Sequence, residues 1–217
     1  MHVDLGQFGD MKIYQHYILP KLINLSMQNK AVMEERARFV PLASGKVLEV
    51  GIGSGLNIPF YNREVEKLYA LDLSFELWKM ARKRADQAPF AVEFIRSSGE
   101  TIPMEHGTFD TVVTTWTLCT VPDAVKALKE MNRVLRPGGR LIFVEHGRSP
   151  DSGVLAWQNR LNPFWNRIGG GCNLNRKIDD LIVEAGFRIT QIEKAYSRGP
   201  KPFAYLYKGL AQPLIRC

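Results

Sequence analysis

With 217 residues, 45% of them hydrophobic, the chain has enough apolar material for one α/β domain with a substantial core, and no Pro/Gly/Ser-rich linker divides it. The net charge of +7 is uneven: residues 1–46 carry 6 Lys/Arg against 4 Asp/Glu, residues 47–147 carry 12 against 13, and residues 148–217 carry 11 against 5. No apolar run approaches the roughly 18 residues of a membrane-spanning helix, and Met1 to Asp10 holds two aspartates without an early Lys or Arg, unlike a secretory signal.

The default expectation is therefore cytoplasmic. The basic periphery suits an anionic membrane surface, which would make the protein peripheral on the inner face of a membrane, or a nucleic acid or an acidic ligand, with plain solvation as the alternative. Cys119, Cys172 and Cys217 are an odd number without CxxC or metal-like spacing. They read as free thiols in a reducing compartment, with no metal site.

In chain order, Met11 to Val40 has apolar residues at helical offsets (Ile13, Tyr14, Tyr17, Ile18), a break at Pro20, then Leu22, Leu25 and Val32. Two amphipathic helices are predicted there. They form a lid over a ligand pocket, a membrane-surface patch or plain packing against the core. From Lys46 onward strand-like and helix-like runs alternate, the pattern of a parallel sheet with helices on both faces. Strands are predicted at residues 46–50, 67–71, 91–96, 111–115, 140–145, from Phe187 to about Ile192, and at 203–208. Helices fit at 75–87, at 124–135 behind an Asp123 cap and before the Pro137-Gly138-Gly139 stop, and at 176–185. Residues 149–173, rich in Trp, Asn and Gly, read as a loop.

Val47 to Asn57, with Gly51, Gly53 and Gly55, reads as a buried strand entering a glycine-rich turn, where backbone approaches a ligand closely. Asp72 ends the second predicted strand, where a carboxylate accepts hydrogen bonds from ribose hydroxyls; capping the next helix is its alternative, although Ser74 caps as well. A dinucleotide fingerprint would place its third glycine one residue later, and Glu49 is an awkward neighbour for a phosphate. S-adenosylmethionine (SAM) has a positive amino group and no phosphate, so Glu49 and Asp72 together favour it over NAD. Glu49 is expected to shape the site, ordering the loop through backbone amides rather than touching the ligand.

The sequence resembles the class I SAM-dependent methyltransferases over roughly Lys46 to Lys208. The resemblance rests on Glu49-Val-Gly-Ile-Gly-Ser-Gly55, Ala70-Leu-Asp-Leu-Ser74, Ser97-Ser-Gly-Glu-Thr-Ile-Pro103, Phe109-Asp-Thr-Val-Val113 and Arg133-Val-Leu-Arg-Pro-Gly-Gly139. It implies a Rossmann-like fold, a mostly parallel seven-stranded sheet with helices on both faces and N-terminal lid helices. It divides the chain into a head, 1–45, and a methyltransferase domain, 46–217. The implied cofactor residues are Glu49, Gly51, Gly53, Gly55, Asn57, Asp72, Leu73, Ser98, Gly99, Glu100 and Thr115. Many relatives have an aspartate where Ser98 stands, which leaves adenine recognition to Glu100, a backbone carbonyl or the Ser98 hydroxyl. A finer resemblance, to methyltransferase-like alkyl-thiol methyltransferases, rests on Leu118-Cys-Thr-Val121, Val144-Glu-His146 and Gly171-Cys-Asn-Leu-Asn-Arg176.

Methyl transfer to a good nucleophile needs positioning and exclusion of water more than acid or base help. A thiolate is such a nucleophile, an amine is one after deprotonation, and a quinol ring carbon needs a base. The expected acceptor pocket, beyond the ends of strands four and five, comprises Tyr14, Tyr17, Trp116, Cys119, His146, Arg148 and Trp165. His146 is the candidate base, with a structural role as its alternative. Cys119 is expected to pack rather than to attack, and Trp157, Phe164 and Trp165 with Arg160 and Arg167 form an acceptor roof or a membrane contact. The acceptor is a small molecule, most simply a thiol, or a lipid; phosphatidylethanolamine N-methylation is the alternative reaction. A nucleic-acid enzyme or binding protein lacks support, because there is no RNA-binding module and no Asn/Asp-Pro-Pro-aromatic motif. A non-catalytic SAM-binding protein is the remaining alternative.

Overall fold

The computed structural model describes residues 14–214, so expectations resting on Met1 to Asp10, Ile13 and Cys217 lie outside the described residues. A π-helical turn, Tyr14–Ile18, leads into α1 (Leu19–Ser26) and α2 (Lys30–Phe39). Strands β1 (Gly45–Val50) and β2 (Val65–Leu71), helix α3 (Phe75–Ala85) and strand β3 (Ala91–Ile95) follow. Next come β4 (Phe109–Thr115), α4 (Ala124–Val134), β5 (Leu135–His146) and α5 (Ser152–Ile168). The chain ends with α6 (Ile178–Glu184), β6 (Phe187–Tyr196), a single turn α7 (Lys201–Ala204) and β7 (Tyr205–Pro213).

The strands form one seven-stranded sheet in the order β3-β2-β1-β4-β5-β7-β6. All neighbours are parallel except β7, which runs antiparallel to both β5 and β6. Alternation along each strand divides the core into two layers, because successive side chains point to opposite faces. Leu48 and Val50 of β1, Val112 of β4 and Phe143 of β5 pack with α4 and α6 on one face. Val47, Val113, Ile142 and Val144 pack with Phe39 and with Trp78 and Ala81 of α3 on the other. Helix α4 fits its layer because Ala124, Ala127, Leu128, Met131 and Val134 form one buried stripe. Its N-terminus is capped by Asp123, whose carboxylate accepts from the Lys126 N–H at 2.9 Å.

Several boundaries differ from the sequence reading. Pro20 does not break the head; it sits in the first turn of α1, where its missing N–H costs nothing, and the break falls at residues 27–29. Asn29 then caps α2 by accepting from Val32 N–H at 3.1 Å. Strand β5 begins at Leu135, ahead of Pro137-Gly138-Gly139, and the turn becomes a register shift opposite Phe109 and Thr111. Strands β6 and β7 run further than expected because they pair with each other over almost their whole length.

The largest departure is at residues 149–173. Instead of a loop, Ser152–Ile168 is a 17-residue helix with Pro163 inside it. Neither propensity nor a buried stripe accounts for this, since Gln158 is its one fully buried residue. The Gln158 amide makes the attachment: Oε1 accepts from Ser149 N–H at 2.9 Å, and Nε2 donates to Gly147 O and Pro202 O at 3.0 Å each. Among the described residues no helix is long and apolar enough to cross a membrane. Because Gln158→Leu keeps the volume but removes the partner of three backbone groups, two of them buried, it should lower the unfolding free energy by roughly 3 kcal/mol. Urea denaturation with an unchanged m-value would show this; an unchanged midpoint would mean that the amide does not anchor α5.

Candidate active site

The strand order reverses between β1 and β4, so the loops leaving their carboxyl ends diverge and open a crevice. On the β1 side, Gly51, Gly53 and Gly55 take φ angles of 79°, 54° and 78°, left-handed values that glycine adopts without strain. A Cβ on Gly51 would lie 2.2 Å from Thr117 Oγ1 and one on Gly55 3.0 Å from Ala81, so both glycines serve packing. A Cβ on Gly53 would meet nothing nearer than 4.0 Å, so the space beside Gly53 is open.

Asp72 lies across from it. Its Oδ2 accepts from Gly53 N–H and its Oδ1 from Ser74 N–H, both at 2.8 Å. Ser74, not Asp72, caps α3, by accepting from Leu77 N–H. Leu73, beside them, is 61% exposed. After β3, Ser98 Oγ accepts from Glu100 N–H at 3.1 Å, and the Glu100 carboxylate accepts from Asp123 N–H at 2.8 Å. Both side chains thus shape the turn over buried Gly99, whose Cβ position lies 2.9 Å from Val50.

Glu49 is buried under the glycine turn. It orders the loop as expected, but through side chains rather than backbone amides: Asn57 Nδ2 donates to Oε1 at 2.8 Å and Tyr61 OH to Oε2 at 2.7 Å. Asn57 Nδ2 also donates to Thr115 Oγ1 at 3.0 Å. Above them sits Arg36 of α2, buried, donating to Asn57 Oδ1 and, at 3.3 Å, to Thr115 Oγ1, with its guanidinium 4.9 Å from the Trp116 ring centre. Burial lowers Arg36 to about 10, partly offset by Glu49, so it stays charged at neutral pH. Burial likewise raises Glu49 to about 7 against the opposing pull of Tyr61, Arg36 and Asn57.

On the β4 side the chain makes a strained turn. Trp116 has φ 51°, a left-handed value uncommon for a large side chain. The turn is held by buried Glu145 of β5, which accepts from Thr114 Oγ1 at 2.9 Å, Thr117 N–H at 3.0 Å and Leu118 N–H at 3.1 Å. Cys119 follows, buried beside Cys172 and Leu174, with Leu161, Trp165 and Phe203 packed around them. His146 Nε2 is 3.1 Å from Cys172 Sγ. Hydrogen bonding from Cys119 and His146 holds the Cys172 thiol below its usual range despite burial. Asn173 and Arg176 tie this layer to the turn: Asn173 N–H donates to Cys119 O at 2.8 Å, and Arg176 donates to Leu118 O and Val121 O. The segments 118–121, 144–146 and 171–176, far apart in sequence, therefore meet in one place.

The remaining expected acceptor residues are spread out. Tyr14 OH donates to Ile168 O at 2.9 Å, joining the head to the end of α5. Tyr17 is 61% exposed. Trp165 stacks edge-on against Phe203, 4.7 Å between ring centres. Arg148 is not with this group; it lines a separate cleft of about 290 Å³ with Lys177, Lys194 and Tyr207.

A family model described as a methyltransferase domain matches residues 48–143. The human thiol S-methyltransferase TMT1B is 37% identical over 173 residues, covering 77% of this chain and 69% of that protein. The chain belongs to the class I SAM-dependent methyltransferases. S-adenosylmethionine is its methyl donor and S-adenosylhomocysteine the product. Phosphatidylethanolamine N-methyltransferase of Cereibacter sphaeroides is 31% identical over 135 residues, 61% of this chain and 66% of that one. A SAM-dependent methyltransferase structure from Thermotoga maritima superposes with a TM-score of 0.66 at 18% identity, covering 93% of this chain and 97% of that one, and shows the shared fold.

The residues present fit the methyl donor. Asp72 accepts from the turn at Gly53, Leu73 beside it is exposed, and Arg36 Nε is a buried donor without a partner among the described residues. Arg36 and Tyr61 did not emerge from sequence reasoning as site residues, whereas Glu145, Cys172 and Arg176 entered only as members of the motifs after strand five and at 171–176. One signal pointed to Arg36: it lies on the same helical face as Val32, Phe39 and Val40, a charge inside an apolar stripe.

Burial of Glu49 has a thermodynamic consequence. With a folded-state value near 7 against 4.5 in the unfolded chain, folding retains a proton that the unfolded chain releases between those values. The wild-type chain therefore loses stability relative to Glu49→Gln as pH rises, by about 2 kcal/mol between pH 5 and 8. Denaturant titrations of both proteins at the two pH values measure this, and a pH-independent difference would mean that Glu49 is ionised throughout.

Proposed function

We propose that this chain methylates a small lipophilic thiol. The observation that carries the reading is the commitment of the titratable groups at the acceptor end of the crevice. The Glu145 carboxylate is engaged by Thr114, Thr117 and Leu118, and His146 Nε2 is engaged by Cys172. An acceptor that must be deprotonated by the enzyme finds the Glu145 carboxylate and His146 Nε2 already engaged, with only the buried His146 Nδ1 open, whereas a thiol becomes a strong nucleophile by losing its proton to solvent, in a fraction that grows toward its own pKa. The apolar surroundings of Trp165, Phe203 and Leu161 suit a lipophilic acceptor, and the human relative carries the name of a thiol S-methyltransferase.

When bound, S-adenosylmethionine supplies an electrophilic methyl group. The chain's part is to hold and orient. Asp72 engages the ribose hydroxyls while its backbone bonds keep it rigid. Arg36, through its unpartnered Nε, pairs with the carboxylate of the methionine moiety, and Glu49 keeps Asn57 and the turn in place beneath it. Trp116, clamped between Arg36 and the Glu145-bound turn, excludes water from the reacting face.

A second reading, methylation of a phosphatidylethanolamine amine at a membrane surface, is favoured by one observation. Tyr17, Ile18, Leu22 and Leu25 of the head and Trp157 and Phe164 of α5 are exposed apolar side chains, and Arg160 lies 5.9 Å from the Trp157 ring. In that reading the head, residues 1–45, is a membrane contact; in the thiol reading it is a lid.

A screen of short alkyl thiols and sulfide against phosphatidylethanolamine vesicles separates the two. Thiols should be methylated at a rate rising about tenfold per pH unit below the acceptor's own pKa; turnover on vesicles alone would defeat the thiol reading. Arg36→Lys should weaken S-adenosylhomocysteine binding by roughly 10- to 100-fold in calorimetry, the loss of a charge-assisted hydrogen bond, and should also lower the unliganded melting temperature, because Arg36 holds buried Asn57 and Thr115. Undiminished affinity would remove Arg36 from the cofactor site.

A further inference from the structure

Cys119, His146 and Cys172 come from three separate places: the turn after β4, the end of β5 and the turn between α5 and α6. One donor atom from each lies within 4.8 Å of the other two. Donors around a tetrahedral zinc ion, bound at about 2.3 Å for sulfur and 2.0 Å for nitrogen, stand roughly 3.5 to 4 Å apart, so small side-chain movements suffice to gather them on one ion. None of the three residues is more than 9% exposed.

The surroundings are built to hold them. Leu161, Leu174, Trp165 and Phe203 form an apolar wall. The two cysteine backbones are fixed to each other independently of their thiols, since Asn173 N–H and Nδ2 donate to Cys119 O at 2.8 and 3.0 Å. Arg176 braces the same turn through Leu118 O and Val121 O. His146 Nδ1 is buried and has no hydrogen-bond partner among the described residues, an exception to the rule that buried polar atoms are paired. Glu145, the nearest carboxylate in sequence, is turned away to Thr117 and Leu118 and adds no fourth ligand.

We propose that Cys119, His146 and Cys172 bind one soft divalent cation of the zinc class through two thiolates and an imidazole, leaving the fourth tetrahedral position for an exogenous ligand. Two thiolates with one imidazole and an open position is a donor set that suits zinc and excludes magnesium or calcium. Each cysteine that is still a thiol releases its proton to solvent as its bond to the metal forms. His146 is then a ligand, not the base expected from its place after β5, and the site escapes sequence inspection because its ligands share no short spacing. Resting on the thiol reading above, the open position takes the acceptor as its thiolate, the acceptor proton also leaving to solvent.

The test is titration of the reduced full-length protein with Co²⁺ alone as a spectroscopic probe. One equivalent per chain should give a thiolate-to-cobalt charge-transfer band and intense visible bands of a tetrahedral ion, both removed by Zn²⁺. Cys119→Ser and Cys172→Ser should each weaken binding at least about 100-fold, beyond the cost of losing an outer-shell partner, while retaining S-adenosylhomocysteine affinity as a check of folding. Cys217→Ser should change nothing. No charge-transfer band, or a band lost only in Cys217→Ser, overturns the site. Visible bands that shift on adding a short alkyl thiol support the acceptor role. Bands unmoved by a thiol that the enzyme methylates overturn that role alone, and turnover confined to phosphatidylethanolamine with the cobalt site intact overturns the thiol reading alone.

Discussion

A carboxylate buried at the end of a strand cannot be left unpaired, and the crevice is arranged around two such groups. Glu49, at the end of β1, gathers Asn57 and Tyr61, and through Asn57 it gathers Thr115 and Arg36. Glu145, at the end of β5, gathers two backbone N–H groups and a hydroxyl of the neighbouring strand. The first fixes the glycine-rich loop after β1 and the second the loop after β4. Both loops are irregular, and Trp116 is strained. Their shape comes from obligatory satisfaction of buried charge rather than from local propensity.

The two halves of the crevice differ in how local they are. The donor half is built mostly from consecutive residues, a strand, a glycine turn and Asp72 at the next strand end, so spacing alone exposes it. The other half, proposed above for the acceptor, is assembled from the ends of β4 and β5 and the turn after α5, and its contacts span long stretches of chain. Cys119, His146 and Cys172 are legible as separate short motifs, yet nothing in their spacing says that they touch.

The same distinction explains which elements were read correctly. Helix α4 was legible because its cap and its buried stripe agree with each other. Helix α5 was not, because Gly153 and Pro163 argue against it locally and what holds it is the amide of Gln158 reaching three distant backbone groups. Strands β6 and β7 were read short because the residues that extend them are chosen by pairing partners rather than by their own alternation. Arg36 was hidden among the charges of α2, where only its position on the apolar face set it apart.

Helix α2 spans two regions of the sheet. Glu35 takes the buried Lys208 of β7 at 2.7 Å, and Arg38 pairs with Glu193 of β6 at 2.5 Å, while Arg36 between them points to Asn57 and Thr115 at the donor site. One helical turn thus ties the antiparallel strands β6 and β7 at the edge of the sheet to the buried network under the glycine turn, so loss of the Glu35–Lys208 pair would loosen the seat of the helix that carries Arg36.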